Sequence, residues 1–294
     1  MHKPVLLNEI LEFLDPQPGK NFIDATLNGG GHTQALAERI APSGKILGIE
    51  WDRDLAAVAK QNFDISIYRD MVTVVNDSYT NIAEIAQTHN FQADGILFDL
   101  GLSSWHYEES GRGFSFKRDE PLDMRFNTGE GVPASEIVNT YSVTELEGIL
   151  KEFGEEQFSE QIAEAIGKAR QDRPIVSVPA LVEVISGAVP GWYKHRKIHF
   201  ATKTFQALRV VVNHELENVE TGVRQAIEIL KPGGKLAVIS FQGHEDKIVR
   251  ELFKEQVKRG VIEIPIKRTI RPVWDEQKNN PRARSAKMKV AIKK

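Results

Sequence analysis

Short apolar runs alternate with helical periods along the first hundred residues, and this alternation constrains the fold more than any other feature. Four runs predict β-strands, at residues 21–27, 45–50, 72–75 and 93–100. Helical spacing of apolar residues predicts helices at 33–40 and from residue 55. Because the runs are apolar throughout, they indicate a parallel sheet covered on both faces. The strand–helix–strand order predicts a Rossmann-like, doubly wound α/β fold.

The pattern changes after about residue 104. Residues 105–207 are loop-rich at first and then helical, with amphipathic candidates at 144–153, 158–170 and 179–188. The α/β pattern resumes with a helix at about 211–230, a strand at 235–241, a helix at 245–259 and final strands at 261–267 and 287–292. We therefore predict one α/β domain, residues 1–104 and 208–294, which is interrupted by a helical subdomain, residues 105–207.

A glycine turn, Gly29-Gly30-Gly31, joins the first predicted strand to the first helix. Glycines allow the backbone to turn tightly and to approach a ligand, and helix N–H groups then point toward that ligand. Glu50 ends the second strand, where a carboxylate can accept hydrogen bonds from ribose hydroxyls. This order favours a nucleoside cofactor over the alternative, a structural turn with an unrelated surface glutamate.

The spacing of the glycines narrows the choice of cofactor. The dinucleotide pattern G-x-G-x-x-G fails because Gln34 stands where the third glycine belongs, and no P-loop pattern occurs. A dehydrogenase would need that missing glycine. An adenosine cofactor without a pyrophosphate fits better, and we predict S-adenosylmethionine.

Asp99 ends the fourth strand and is followed by Gly101, Ser103 and Ser104. In a doubly wound sheet this end faces the ligand crevice. Asp99 is therefore the candidate catalytic residue, close to the transferred methyl. The alternative is that Asp99 only caps a helix.

Composition excludes several classes of protein. The 294 residues include no cysteine, which excludes disulfides and thiol chemistry, and the net charge is −3. No run approaches a membrane span or a signal-peptide core, so we expect a cytoplasmic protein that does not contact a membrane.

His195 and His199 are spaced like helical zinc ligands, but Arg196 occupies the position of the H-E-x-x-H glutamate, and no metal is expected. Residues 192–197 and the C-terminus are locally basic. Each segment could contact RNA or could be a solvated surface.

Ten short strings together resemble the bacterial 16S rRNA (cytosine-N4) methyltransferases of the RsmH family, formerly called MraW. In order they are HKPVLLNE, DATLNGGGHT, FDLGLSS, RGFSF, PLDMR, FGEE, ATKTFQALR, VNHEL, VISF and NPRARSAK. Each string is weak alone, whereas ten in order across nearly the whole chain are specific.

The resemblance implies a class I S-adenosylmethionine-dependent methyltransferase fold with a helical insertion that recognises substrate. It implies N4 methylation of one cytidine in the decoding region of 16S rRNA, within the small ribosomal subunit, and it suggests a homodimer. It also implies a set of cofactor-binding residues: Gly30, Gly31, His32, Glu50, Tyr79, Asp99 and His106. Tyr79 could stack on adenine or be a core aromatic. For His106 the alternative is a surface histidine.

Three segments depart from the family pattern. Asn28 stands in the glycine loop, and Glu50 replaces the usual aspartate, although a glutamate still accepts ribose hydrogens. The segment Phe241 to Asp246 reads FQGHED, where the family has FHSLED. That segment follows the fifth strand and could border the target base.

Three polar residues after the insertion, Arg209, Asn213 and Glu215, are candidates for the RNA pocket. A salt-bridged helix face is the alternative. Two other functions remain open: a non-catalytic RNA-binding factor, and a DNA amino-methyltransferase, although the D-P-P-Y pattern of the latter is absent.

Overall fold

Seven strands form one mixed β-sheet in the computed structural model of the protein, which describes residues 4–294. The strands are β1 (Asn21–Asp24), β2 (Lys45–Glu50), β3 (Val72–Asn76), β4 (Ala93–Asp99), β5 (Leu230–Ser240), β6 (Ile262–Glu263) and β7 (Lys287–Lys293). Their order across the sheet is β3-β2-β1-β4-β5-β7-β6. The first five are parallel to one another, and β7 pairs antiparallel with both β5 and β6.

The helices follow the same chain order. They are α1 (Leu7–Leu14), α2 (Gly31–Ile40), α3 (Arg53–Asp64), α4 (Ile82–Thr88), α5 (Ser104–Glu108), α6 (Ala134–Thr140), α7 (Val143–Glu152), α8 (Ser159–Asp172), α9 (Val178–Ala188), α10 (Gly191–Lys194), α11 (Thr202–Val212), α12 (Glu215–Ile229), α13 (Gly243–Lys258) and α14 (Trp274–Asn279). Within the described residues, no helix is both long enough and apolar enough to cross a membrane.

Successive residues of the central strands enter opposite hydrophobic clusters. Ile23 and Phe98 pack with α4, α12 and α13 on one face of the sheet. Phe22 and Leu97 pack with α1, α2 and α3 on the other. Side chains alternate between the faces of a strand, so a strand that is apolar at every position is buried on both sides. This arrangement confirms the predicted doubly wound α/β fold.

Two predicted elements were wrong in extent. The predicted helix at 211–230 covers the last two residues of α11 and the whole of α12, because His214 adopts a left-handed φ of 49° and separates the two helices. The predicted strand at 261–267 is only the two-residue β6. Pro265 follows closely, and proline has no N–H to donate to a sheet.

Two compact units divide the chain. One comprises Met1–Ser103 and Leu216–Lys294 and contains the sheet, and the other comprises Ser104–Glu215 and is helical. In the helical unit α8 packs against α7 and α9, and α11 packs against α6 and α7. The sequence placed the two boundaries after residues 104 and 207.

Candidate active site at the carboxyl ends of the strands

Four parallel strands end in polar residues at one edge of the sheet. β1 ends at Asp24, β2 at Glu50, β3 at Asn76 and β4 at Asp99. Ligands bind outside this edge in open α/β sheets. The sequence-predicted residues Glu50 and Asp99 therefore lie at the same edge, on strands separated by β1 alone.

The loop between β1 and α2 crosses this edge and is fixed to both neighbouring strands. The Leu27 N–H donates to the Ile49 carbonyl at 2.8 Å, and the Asn28 N–H donates to Glu50 Oε2 at 2.8 Å. Thr26 Oγ1 accepts the Asp99 N–H at 2.6 Å. The loop thus contacts the Glu50 carboxylate through its own backbone and the Asp99 backbone through Thr26, a residue that was not among the predicted site residues.

The loop conformation explains its composition. Gly30 has φ of 76° and Asn28 has φ of 49°, a region that asparagine tolerates better than most residues. A Cβ on Gly30 would lie 2.8 Å from the Phe63 ring, and one on Gly31 would lie 2.6 Å from Pro4 Cγ. Asn28 therefore substitutes for a glycine at an acceptable conformational cost, whereas Gly30 leaves no room for a side chain.

His32, in the first turn of α2, is buried beside Asp99. Its Nε2 lies 2.9 Å from the Val5 carbonyl oxygen, and its Nδ1 lies 3.7 Å from Asp99 Oδ2. A carbonyl oxygen only accepts, so Nε2 carries a proton and Nδ1 faces the carboxylate. A second proton on either Nδ1 or Asp99 makes this pair attractive. The N-terminal segment that orients His32 was not predicted to take part in the site.

The Glu50 carboxylate accepts one backbone N–H on each oxygen. The donors are Asn28 to Oε2 at 2.8 Å and Asp52 to Oε1 at 2.9 Å. Burial raises the pKa of the Glu50 carboxyl to about 7, and the two backbone donors oppose that rise. Each carboxylate oxygen keeps a second lone pair, so the group can still accept hydrogen bonds from a diol.

Two more carboxyl groups at this edge have raised pKa values. Burial raises the pKa of Asp99 to about 6, although His32 and the Gly101 N–H favour its charged form. Burial also raises the pKa of Asp24, which accepts the Thr33 hydroxyl at 2.7 Å. Buried carboxyls with raised pKa values are common where a protein binds a cation or moves a proton.

Tyr79 follows β3 in a short 3-10 turn and is half-buried. Its ring meets Phe98 edge-on, with centroids 5.5 Å apart, and it contacts the backbone at Gly222. The ring thus packs against the core while part of it stays accessible. Both interpretations offered by the sequence are compatible with this position.

His106 lies in the helical unit, on α5, and is buried among aromatic rings. Its ring centroid is 5.1 Å from those of Phe114 and Phe126, which are stacked on each other. The structure therefore does not place His106 on the surface. Its cofactor contact, which the resemblance implied, stays a prediction.

The candidates Arg209, Asn213 and Glu215 make strong contacts inside the helical unit. Arg209 forms a bidentate pair with Glu215, at 2.7 and 3.0 Å. The Asn213 side chain, which is 1% exposed, donates to the Met124 carbonyl and accepts the Phe126 N–H, both at 2.8 Å. Asn213 thereby holds Met124, whose φ is 64°, in the PLDMR turn. RNA contact by these three residues stays a prediction.

The FQGHED segment begins α13 and has a capping role. Glu245 Oε2 accepts the backbone N–H groups of Phe241 and Gln242, at 2.8 and 3.0 Å. Asp246 lies 3.2 Å from Lys289 and 3.8 Å from Lys287, both on β7. Among residues 4–294, no group of three or more histidine and carboxylate side chains is arranged to hold a metal ion.

A family model described as the MraW methylase family matches residues 1–294. The chain belongs to the MraW methylase family. Among curated relatives, "Ribosomal RNA small subunit methyltransferase H" of Trichlorobacter lovleyi is 40% identical over 99% of this methylase and 98% of its own length. The protein of the same name from Fervidobacterium nodosum is 43% identical over 99% and 96%.

Among solved structures, the chain is similar to fibrillarin from Aeropyrum pernix in complex with S-adenosyl-L-methionine. The TM-score is 0.41 and the identity 10%, over 97% of this methylase and 72% of that chain. This likeness is distant, and nothing about the site follows from it.

Family membership confirms the predicted class I methyltransferase fold, and S-adenosylmethionine is the cofactor. The residues at the sheet edge fit that cofactor chemically. Its sulfonium and ammonium groups are cationic, and Asp24, Glu50 and Asp99 are three carboxyl groups at one edge. Its ribose hydroxyls are donors, and Glu50 has lone pairs to accept them.

Proposed function

We propose that this methylase transfers a methyl group from S-adenosylmethionine to the exocyclic N4 of one cytidine in the decoding region of 16S rRNA. The names of its full-length relatives support the substrate class. The observation that carries the proposal is the buried Asp99–His32 pair at the end of β4. That pair can accept hydrogen bonds from an amino group and can take up a proton.

Binding of the cofactor is assigned to the loop and the strand ends. Glu50 accepts the ribose hydroxyls, and the loop backbone at Gly30 and Gly31 lies close to the ligand. His32 is positioned by the Val5 carbonyl, and Tyr79 presents its accessible part to the adenine. His106 is proposed as a further cofactor contact on the strength of the family resemblance. Bound S-adenosylmethionine supplies an electrophilic methyl group.

The reaction needs a nucleophile that is weak in free cytidine, because the N4 lone pair is delocalised into the ring. Orientation of the amine can lower the barrier by roughly 7–11 kcal/mol in favourable cases. Asp99 accepts a hydrogen bond from an N4 hydrogen, which favours pyramidal nitrogen. With the cofactor bound, the N–C bond would form as the C–S bond breaks, and the electron pair of that bond would go to sulfur. The nitrogen then releases one proton, to Asp99 or His32.

The base must leave its stack to reach such a site. The helical unit, Ser104–Glu215 in the structure and residues 105–207 in the sequence-based prediction, is proposed to recognise the RNA around this base. Arg209, Asn213 and Glu215 would act there chiefly by shaping the turn at Met124.

The proposal is tested by methyl transfer from labelled S-adenosylmethionine to three polymers: small ribosomal subunits that lack the modification, free 16S rRNA and duplex DNA. We expect label in the subunits and at least about tenfold less with the Asp99→Asn variant. Label in DNA would make this a DNA amino-methyltransferase. Cofactor binding with no transfer to any polymer would identify a non-catalytic factor.

A further inference from the structure

An open groove of about 760 Å³ lies on the helical unit. One wall is a face of α9, where Pro179, Val182 and Ser186 follow helical spacing. Phe116, Lys117, Lys194 and Phe200 also line the groove. The sequence marked Lys194 only as part of a basic segment. The structure brings it to a groove that contains aromatic rings.

Three rings form a stacked column at this groove. Phe116 stacks on His199 with centroids 4.4 Å apart and planes at 9°, and His199 stacks on Phe200 at 4.2 Å and 27°. His199 Nδ1 accepts the Ala201 N–H at 3.3 Å, and burial, with Lys117 nearby, lowers the pKa of His199. His199 is therefore a neutral ring here. Such columns extend readily by one more flat ring, and nucleobases are flat rings.

The charges around the ring column suit phosphates. Lys117, Arg118 and Lys194 line the groove, against Asp119 and Glu183. Arg118 is 3.7 Å from Glu120, which partly neutralises it. Lys117 and Lys194 are both exposed, and in the described part of the chain neither is paired with a carboxylate. Exposed Arg196 and Lys197 follow Lys194. Cations beside stacking rings are typical of single-stranded RNA sites.

We propose that this groove binds single-stranded RNA of the substrate, with one base on the ring column and neighbouring phosphates held by Lys117 and Lys194. This inference rests on the proposed function, since it names where the helical unit contacts the RNA. Val182 and the small side chain of Ser186 line the same groove.

Phosphate contact is tested with the double variant Lys117→Gln, Lys194→Gln. The affinity of the full chain is measured at several salt concentrations, with a fluorescein-labelled single-stranded RNA that has the sequence of the decoding region of 16S rRNA. Loss of two phosphate contacts should reduce the slope of log affinity against log salt by about 1.4. The control is Lys151→Gln with Lys168→Gln, two exposed lysines on α7 and α8 outside the groove, whose slope should match wild type.

Stacking is tested at Phe200. Phe200→Leu should weaken binding of the same RNA by roughly 5- to 150-fold, whereas Phe200→Tyr, which keeps a ring, should bind it with near wild-type affinity. Equal loss in both variants, or none in either, contradicts a stacked base. If the double lysine variant binds the RNA with wild-type affinity and a wild-type salt slope, the proposal is overturned. This test holds even if Phe200→Leu fails to fold.

Subunit methylation separates this inference from the proposed function. Groove variants should raise the KM for small subunits and leave kcat and cofactor affinity unchanged. If wild type methylates subunits and the groove variants keep its KM, the assignment of RNA binding to the groove is wrong and the proposed function stands. If wild type transfers no methyl but RNA affinity depends on the groove, the function is wrong and the groove stands. Crosslinks from the groove to a ribosomal protein instead of rRNA would overturn the RNA assignment.

Discussion

The pKa of Glu50 predicts how cofactor affinity depends on pH. Each carboxylate oxygen accepts one backbone N–H and keeps one free lone pair, so a proton on either oxygen takes a lone pair that would otherwise accept a ribose hydroxyl. Burial raises the pKa of Glu50 to about 7 in the free protein. The binding-competent carboxylate is thus about one tenth of the population at pH 6 and about nine tenths at pH 8.

This difference makes the affinity for S-adenosylhomocysteine about tenfold higher at pH 8 than at pH 6, or about 1.4 kcal/mol. Isothermal titration calorimetry at constant ionic strength measures it directly. The variant Glu50→Gln should bind more weakly and lose the Glu50 contribution to the pH dependence. Titration of the ligand is common to both proteins, so the difference between their profiles isolates Glu50.

Asp99 provides the matched comparison. Its pKa of about 6 leaves it about half ionised at pH 6, so its ionisation changes affinity by only about twofold between pH 6 and 8. Asp99→Asn should therefore keep most of the tenfold rise. If Glu50→Gln keeps the full rise, Glu50 does not bind the ribose through its carboxylate and the reasoning fails.

Three further predictions concern stability. Asp99→Asn keeps an acceptor for the Gly101 N–H. Because the pKa of Asp99 is about 6 in the folded protein and 3.8 in the unfolded chain, wild type loses stability as pH rises between these values. The variant should therefore be more stable than wild type by up to about 3 kcal/mol, measured by urea unfolding. A gain that grows instead as pH falls would contradict this. Gly30→Ala, with φ of 76° and a Cβ 2.8 Å from Phe63, should cost about 1–3 kcal/mol in the same assay, whereas Gly29→Ala, which meets nothing within 4 Å, is the control and should cost under about 1 kcal/mol. Asn213→Ala leaves the Phe126 N–H and the Met124 carbonyl without their partner and should cost about 2–4 kcal/mol, and an unchanged midpoint would show that water replaces the amide.

The sequence predicted those features of the site that depend on strand order. Uninterrupted apolar runs indicated parallel strands, and the carboxyl ends of parallel strands share one edge. Glu50 and Asp99 were expected at that edge for this reason, and both lie there. Gly30 was selected for conformational freedom, and its φ of 76° requires it.

Contacts between distant segments could not be predicted in this way. Pro4 touches Gly31 and Val5 orients His32, but nothing in residues 4–5 indicates that they fold back onto the loop. The break at His214 has no glycine or proline to mark it. Helix α1 did carry a signal, because Leu7, Ile10, Leu11 and Leu14 follow helical spacing, but no helix was predicted there.

The groove on the helical unit shows the same limit. Lys194 was noted as part of the basic segment at 192–197, but its place in one groove with Phe116 depends on the packing of segments about eighty residues apart in the chain. Only the tertiary structure shows that Phe116 stacks on His199.

The proposed function depends above all on which atom receives the methyl group. Small subunits from a strain that lacks this methylase are incubated with the enzyme and labelled S-adenosylmethionine, and their rRNA is digested and mapped by mass spectrometry. We predict N4-methylcytidine at a single position in the decoding region, and at least about tenfold less of it with Asp99→Asn. Label in 5-methylcytidine, in a ribose 2′-O-methyl group or at scattered positions would contradict it.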